Sequence, residues 1–356
     1  MITDVSTSCA LALDVLRTKS LVATLSTACS TNCITGVAAH ANLAVEQASF
    51  CFRESCHGKA THSPYLTTTE VDNMGQGHLS HLIVCSNSSR SSVERLRALA
   101  SSMRVVRLPG IHHDSNAVVV SGSHGTLVID AGTSWYQALQ VERIKGLLNE
   151  ETAVDRILLT SKRFPCSGAA RHISEAFDGC TVHIHSEGQA ALETGDFFTT
   201  WANRFDSDMP ALKTEVCVPG EVFALGDGQV EALHLPGCSP DGMGFFIPQQ
   251  NMIVVGCILP RADRPARWDL PGGCLPDLIE SLERVKNKRP AAIVPLQGPA
   301  IRGKKRVQEV LEQHLGFLRG CEDRDGTVPR SWGRPAPTAM WYTSHPPWPL
   351  AEKESV

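Results

Sequence analysis

The chain contains no run of about 18 apolar residues, so no transmembrane helix is expected. It also lacks a charged n-region followed by an unbroken apolar core. Asp14 and Arg17 interrupt the best candidate, Ala10 to Leu16, and no secretory signal is expected. There is no large excess of either charge. The formal net charge of −4 gives no reason to expect nucleic acid or a membrane surface as a partner. The 13 cysteines form no compact framework; an odd, scattered set suits a reducing cytoplasm better than a disulfide scaffold.

What is present is a globular composition, with 42% apolar and 20% charged residues. A length of 356 residues allows one large domain with extra segments, or two domains. Residues 1–102 are rich in Ser, Thr, Ala and Cys, have weak periodicity, and read as a poorly ordered extension. Cys29-Ser-Thr-Asn-Cys33 and Cys51-Phe-Arg-Glu-Ser-Cys56-His57 do not have zinc-knuckle spacing. Ser92 to Ser101 could form a short helix. Met103 stands just ahead of the first clear strand and is the expected true start, which mass spectrometry of the native N-terminus would check.

From residue 103 to about 320 strands and helices alternate. Short β-branched runs predict strands at Val105–Leu108, Ala117–Val120, Thr126–Ile129, Val154–Thr160 and Thr181–Ile184. Further strands are expected at Glu221–Ala224, Val230–Leu235, Gly244–Ile247, Met252–Gly256 and Ala291–Val294, with Gly226-Asp-Gly228 as a turn. Ser134 is a candidate cap for a helix to Leu148, whose apolar face would hold Trp135, Ala138, Val141, Ile144 and Leu148. Ser167 is a candidate cap for a helix through Phe177. Leu275–Lys286 and Lys304–Arg319 carry helical apolar spacing, with Pro276 in a first turn. The basic clusters Lys286–Arg289 and Lys304–Arg306 read as solvated helix ends. Residues 321–356 form a Pro- and Trp-rich tail, and three tryptophans favour at least partial docking.

Four segments carry a family resemblance. Ile157-Leu-Leu-Thr-Ser-Lys-Arg-Phe-Pro-Cys-Ser-Gly-Ala169 reads as a strand, a loop and a helix start. It is followed by Leu235-Pro-Gly-Cys-Ser-Pro-Asp-Gly242, Met252-Ile-Val-Val-Gly-Cys-Ile-Leu259 and Ile293-Val-Pro-Leu-Gln-Gly-Pro299. In this order, and after Thr126-Leu-Val-Ile-Asp-Ala-Gly-Thr133, the segments resemble the metallo-β-lactamase superfamily. The resemblance implies an α+β fold, a four-layer αββα sandwich, over roughly Arg104 to Leu318. It also implies two metal ions, about 3.5–4 Å apart, that activate a water. In the family the first loop reads His-x-His-x-Asp-His; here Ser161, Arg163, Pro165 and Cys166 stand at those places. Cys238, Cys257 and Gln297 stand where the remaining His, Asp and His would be. By this alignment none of the seven usual ligands is kept, so a degenerate, pseudoenzyme-like member is expected. Nucleic-acid-cutting relatives carry an inserted domain for which there is no room between Leu235 and Pro295.

The replaced positions leave alternatives open. Cys166, Cys238 and Cys257 would converge; three thiolates could hold a single Zn²⁺, could act as redox thiols, or could simply fill a vacated site. No other cofactor is expected. Cys238 is also a candidate nucleophile for a hydrolase. Arg163 and Lys162 could bind a small anionic ligand near the helix start, or could face solvent. Asp130 would orient ligands or satisfy backbone N–H groups. His112, His113 and Asp114 are the surviving acid–base candidates. The expectation is a cytoplasmic protein that binds a small molecule, an anion or a partner through the old pocket; nothing in the sequence speaks to oligomeric state.

Overall fold

The computed structural model describes residues 103–148 and 153–348. The extension with its two cysteine pairs and the Ser92–Ser101 helix lies outside the described residues. The first sheet has the order β1 (Arg104–Leu108), β2 (Ala117–Gly122), β3 (Gly125–Ile129), β4 (Arg156–Leu158), β5 (Thr181–Ile184) and β6 (Glu215–Val216). Pairing is antiparallel from β1 to β3 and parallel from β3 to β6. The second sheet runs β7 (Val222–Ala224), β8 (Gln229–His234), β9 (Met243–Ile247), β10 (Met252–Val254), β11 (Ala292–Val294) and β12 (Ile301–Arg302), in the spatial order β12-β11-β10-β9-β8-β7.

The strands are apolar on both faces because both faces are covered. Val118, Val120, Leu127, Ile129 and Leu158 point between the sheets, where they meet Phe223, Val230, Phe245, Ile247 and Val254. Their sequence neighbours Val119, Val128 and Ile157 point the other way. There they pack on α1 (Gln137–Lys145), α3 (Ala170–Ala176) and α4 (Ser186–Thr194) through Val141, Ile144, Ile173 and Leu192. On the far side Ile253 and Ile293 of the second sheet meet α5 (Leu275–Asn287) and α6 (Lys304–Glu322), which contribute Leu278, Leu282, Val310, Leu311 and Leu315. Period-two alternation in each strand therefore separates three apolar layers, and the expected αββα sandwich is the fold.

Some local expectations are corrected. Ser134 makes no capping hydrogen bond; Ser134–Tyr136 is a 3-10 turn, and α1 begins at Gln137. The buried stripe of α1 is Gln140, Val141 and Ile144, whereas Trp135 is about half exposed. The stripe rotates because the tight turn resets the helical phase. Ser167 does not cap α3 either. It closes α2, a single turn at Phe164–Ser167, and its hydroxyl donates back to the Lys162 and Arg163 carbonyls. The elements β6, β12 and α4 were not anticipated: two-residue strands carry no periodic signal, and α4 has few large apolar residues.

The tail is docked. Met340 and Tyr342 are buried, and the Tyr342 hydroxyl donates to Asp269 at 2.8 Å. Arg267 donates to the Ala339 carbonyl and forms an ion pair with Asp269. The tail thus holds the 266–271 segment, whose Pro271 carbonyl reaches the candidate site.

Candidate functional site

The turns after β3, β4, β8, β10 and β11 meet at one edge of the sandwich. Two glycines allow the approach. Gly256 has φ +56°, and a Cβ there would lie 2.6 Å from the Thr160 side chain. Gly237 has φ +126°, and a Cβ would lie 2.3 Å from Cα of Leu278, so the β8–β9 turn can rest on α5 only without a side chain.

Asp130 closes β3 in the left-handed region, φ +60°, a conformation that Asp tolerates better than most residues. Its fully buried carboxyl accepts from the Thr160 N–H at 2.8 Å and the Thr160 hydroxyl at 2.7 Å. Burial raises its pKa to about 7, against the opposing pull of the Thr160 donors. The Thr160 hydroxyl also lies 3.6 Å from Cys166 Sγ. Cys166 Sγ is 3.9 Å from Cys257 Sγ, and Cys238 Sγ donates to the Cys257 carbonyl at 3.0 Å. The structure thus gathers Asp130, Thr160 and the three thiols. The Cys257 thiol, through its hydrogen bond, and burial push the Cys166 thiol well above its ordinary value; burial and then Cys257 do the same to Cys238, with Arg163 pulling it down.

Arg163 neither faces solvent nor lies open to an anion. It is fully buried. Its guanidinium donates to the carbonyls of Thr199 at 3.1 Å, Cys238 at 3.3 Å and Pro271 at 2.6 Å, and its Cζ sits 5.6 Å from the Trp201 ring centroid. Arg267 lies against the same ring at 5.5 Å. Ser161 is buried beside it, with its hydroxyl accepting from the Arg163 N–H. Lys162 points elsewhere, toward the buried Asp241 and the Glu187 carbonyl.

The other candidates serve the edge of this cluster. The Pro165 carbonyl accepts from Ser115 N–H. Gln297 donates to the carbonyls of His112 and Asp114 at 3.3 and 3.0 Å, tying the β11 turn to the β1–β2 loop. Asp114 is buried and accepts from the Thr133 N–H and hydroxyl; burial raises its pKa, so it acts as a loop tie. His113 packs edge-on against Trp135 and Phe205. His112 is exposed, with Nδ1 hydrogen-bonded to the Tyr136 hydroxyl. Sequence reading missed Trp201, Thr199, Pro271 and Asp241. Three of these act through backbone carbonyls or a ring face, which leave no residue-type signature; Asp241, next to the Cys-Ser-Pro turn, was the one with a visible signal.

The donors around this edge are chemically unlike those of a dinuclear centre. Hard metal ions bridged by hydroxide take imidazole and carboxylate ligands. Here the buried cation beside Cys238 is a guanidinium, which has no lone pair to give and donates to the Cys238 carbonyl. Among the described residues no group of three or more His, Cys, Asp or Glu side chains is arranged to hold a metal ion.

The family model of the metallo-beta-lactamase superfamily matches residues 111–297, and the chain belongs to this superfamily. It is 33% identical over 165 residues to a chicken (Gallus gallus) protein named acyl-coenzyme A thioesterase MBLAC2, over 41% of this chain and 57% of that one. It is 34% identical over 71 residues to an uncharacterized protein of Aquifex aeolicus, over 20% of this chain and 33% of the other. The chain thus spans little more than half of the first relative and a third of the second. Its fold resembles the BLEG-1 B3 metallo-beta-lactamase (TM-score 0.51, 20% identity, 60% of this chain and 99% of that chain). It also resembles the family protein TTHA1429 of Thermus thermophilus (TM-score 0.50, 14% identity, 68% and 98%).

Proposed function

We propose that this chain is a superfamily member that has given up the dinuclear metal centre and binds a small molecule or a protein partner without hydrolysing it. Arg163 carries this reading. A permanently charged guanidinium, bonded through its two terminal nitrogens to three carbonyls while its buried Nε has no partner, sits where the alignment expects a metal-bound histidine, and it would repel a cation there. The ligand would be taken at the rim, where His112 and Trp135 are exposed, because the interior is packed. We place the protein in the cytoplasm on its cysteine content.

A cysteine nucleophile is disfavoured by burial. Cys166 and Cys238 have almost no exposed surface, and their raised pKa values leave little thiolate at neutral pH. Iodoacetamide at pH 7 is expected to label partly exposed Cys274 first among the described thiols and to reach Cys166 and Cys238 only after unfolding. Peptide mapping by mass spectrometry checks this. Rapid labelling of Cys238 would restore the nucleophile.

The thioesterase named among the relatives sets the competing reading, a working hydrolase. Elemental analysis of protein purified without added metal is expected to find less than about a tenth of an equivalent of Zn, Fe or Mn. Short- and long-chain acyl-coenzyme A should release thiol no faster than in buffer. One or two equivalents of metal, together with metal-dependent thioester cleavage, would refute the proposal.

A further inference from the structure

The sulfurs of Cys166 and Cys257 touch, yet they come from opposite sheets: Cys166 follows β4 and Cys257 follows β10. Neither is tied into a strong alternative contact. The Cys166 thiol has only the weak Thr160 hydroxyl contact at 3.6 Å, whereas Cys238, the third thiol, is already committed to the Cys257 carbonyl. Cys257 keeps 5% of its surface exposed and Cys166 none. Of the touching pair, Cys257 is thus the residue that keeps some surface at the rim, and Cys166 is the one fully enclosed.

We propose that Cys257 and Cys166 form an oxidant-responsive dithiol, a modification site for hydrogen peroxide or another small neutral peroxide, which closes to a disulfide that staples the two sheets at the rim. In the first step the Cys257 sulfur attacks a peroxide oxygen, the O–O bond breaks, the thiol proton passes to the departing oxygen, and Cys257 sulfenic acid forms with water from hydrogen peroxide or an alcohol from an alkyl peroxide. In the second the Cys166 sulfur attacks the sulfenic sulfur, the S–O bond breaks, and the oxygen leaves as water with the Cys166 proton. One peroxide is reduced by two electrons, and two thiols become one disulfide. The sulfurs must close from 3.9 Å to about 2.05 Å, a shift that side-chain rotation and slight loop movement at the rim can supply. The bond joins residues 91 apart in sequence, so it restricts the unfolded chain and raises the melting temperature. This inference does not depend on what the rim binds.

The test is a peroxide titration of the full chain, from one to ten molar equivalents, followed by alkylation and non-reducing peptide mapping. The Cys166–Cys257 cross-link is expected to be the first among the described thiols. It should raise the melting temperature by several degrees, and dithiothreitol should reverse the change. Cys238→Ser should keep the cross-link, and Cys257→Ser and Cys166→Ser should lose it. The wild-type map is decisive by itself should a variant fail to fold. A Cys238–Cys257 link in its place, conversion of Cys257 to sulfinic acid without any link, or Cys257 unmodified at ten equivalents after several hours would each overturn the proposal.

Discussion

Replacing Arg163 with alanine is expected to lower the free energy of unfolding by about 3–5 kcal/mol, from lost hydrogen bonds and the cavity left behind. The guanidinium satisfies the Thr199, Cys238 and Pro271 carbonyls and packs against Trp201. Each of those acceptors belongs to a different segment, so losing the side chain unties three loops at once. An opposing effect is relief from a buried charge that has no carboxylate in direct contact. The fan of carbonyl acceptors and the indole face offset most of that desolvation in the native chain, so the net effect of truncation is loss. Arg163→Lys should recover only part of the stability, since an ammonium cannot span the same fork. Urea unfolding followed by circular dichroism measures both variants. A change below about 1 kcal/mol for Arg163→Ala, the size of an ordinary surface substitution, would mean that the guanidinium is not structural and would reopen ligand binding at that position.

The second large effect concerns Asp130. Its folded-state pKa of about 7 lies above the ordinary 3.8. The folded chain therefore holds this proton when the unfolded chain has lost it. The stability from this group is full below about pH 4, drains away between pH 4 and 7, and is constant above. The difference amounts to roughly 4 kcal/mol at 1.36 kcal/mol per pH unit. Asp130→Asn removes the titration, retains an acceptor for the Thr160 N–H, and tolerates the left-handed backbone. The stability of the variant minus that of the wild type should rise by about 3–4 kcal/mol between pH 4 and pH 8. A difference that stays flat with pH would show that Asp130 is not protonated in the folded protein near neutrality.

Much of this was legible in the residues alone. The sandwich followed from four ordered segments, and the expected strands form, though Val154–Thr160 narrows to Arg156–Leu158 and short β6 and β12 escaped, because doubly covered sheets write themselves as unbroken apolar runs such as Ala117–Val120. The meeting of Cys166 with Cys257 and Cys238 followed from the alignment. What was not legible was how the rim is packed. Arg163 looks like a loop cation, and long cations usually face water. Its burial depends on the Thr199 and Pro271 carbonyls, 36 and 108 residues away in sequence, and on the ring of Trp201. None of these shows a pattern that a local reading could use. Trp135 misled because helical phase was counted through a tight turn.

The amino-acid order by itself determined the layers and the elements that carry the rim, because these rest on residue type and short-range periodicity. Only the tertiary structure decided that the Arg163 guanidinium is buried at the rim, that two thiols from opposite sheets touch, and that Asp130 is sealed from water. Each of those depends on burial and on backbone carbonyls brought together from distant segments, and a carbonyl is the same at every position until the fold gives it a direction.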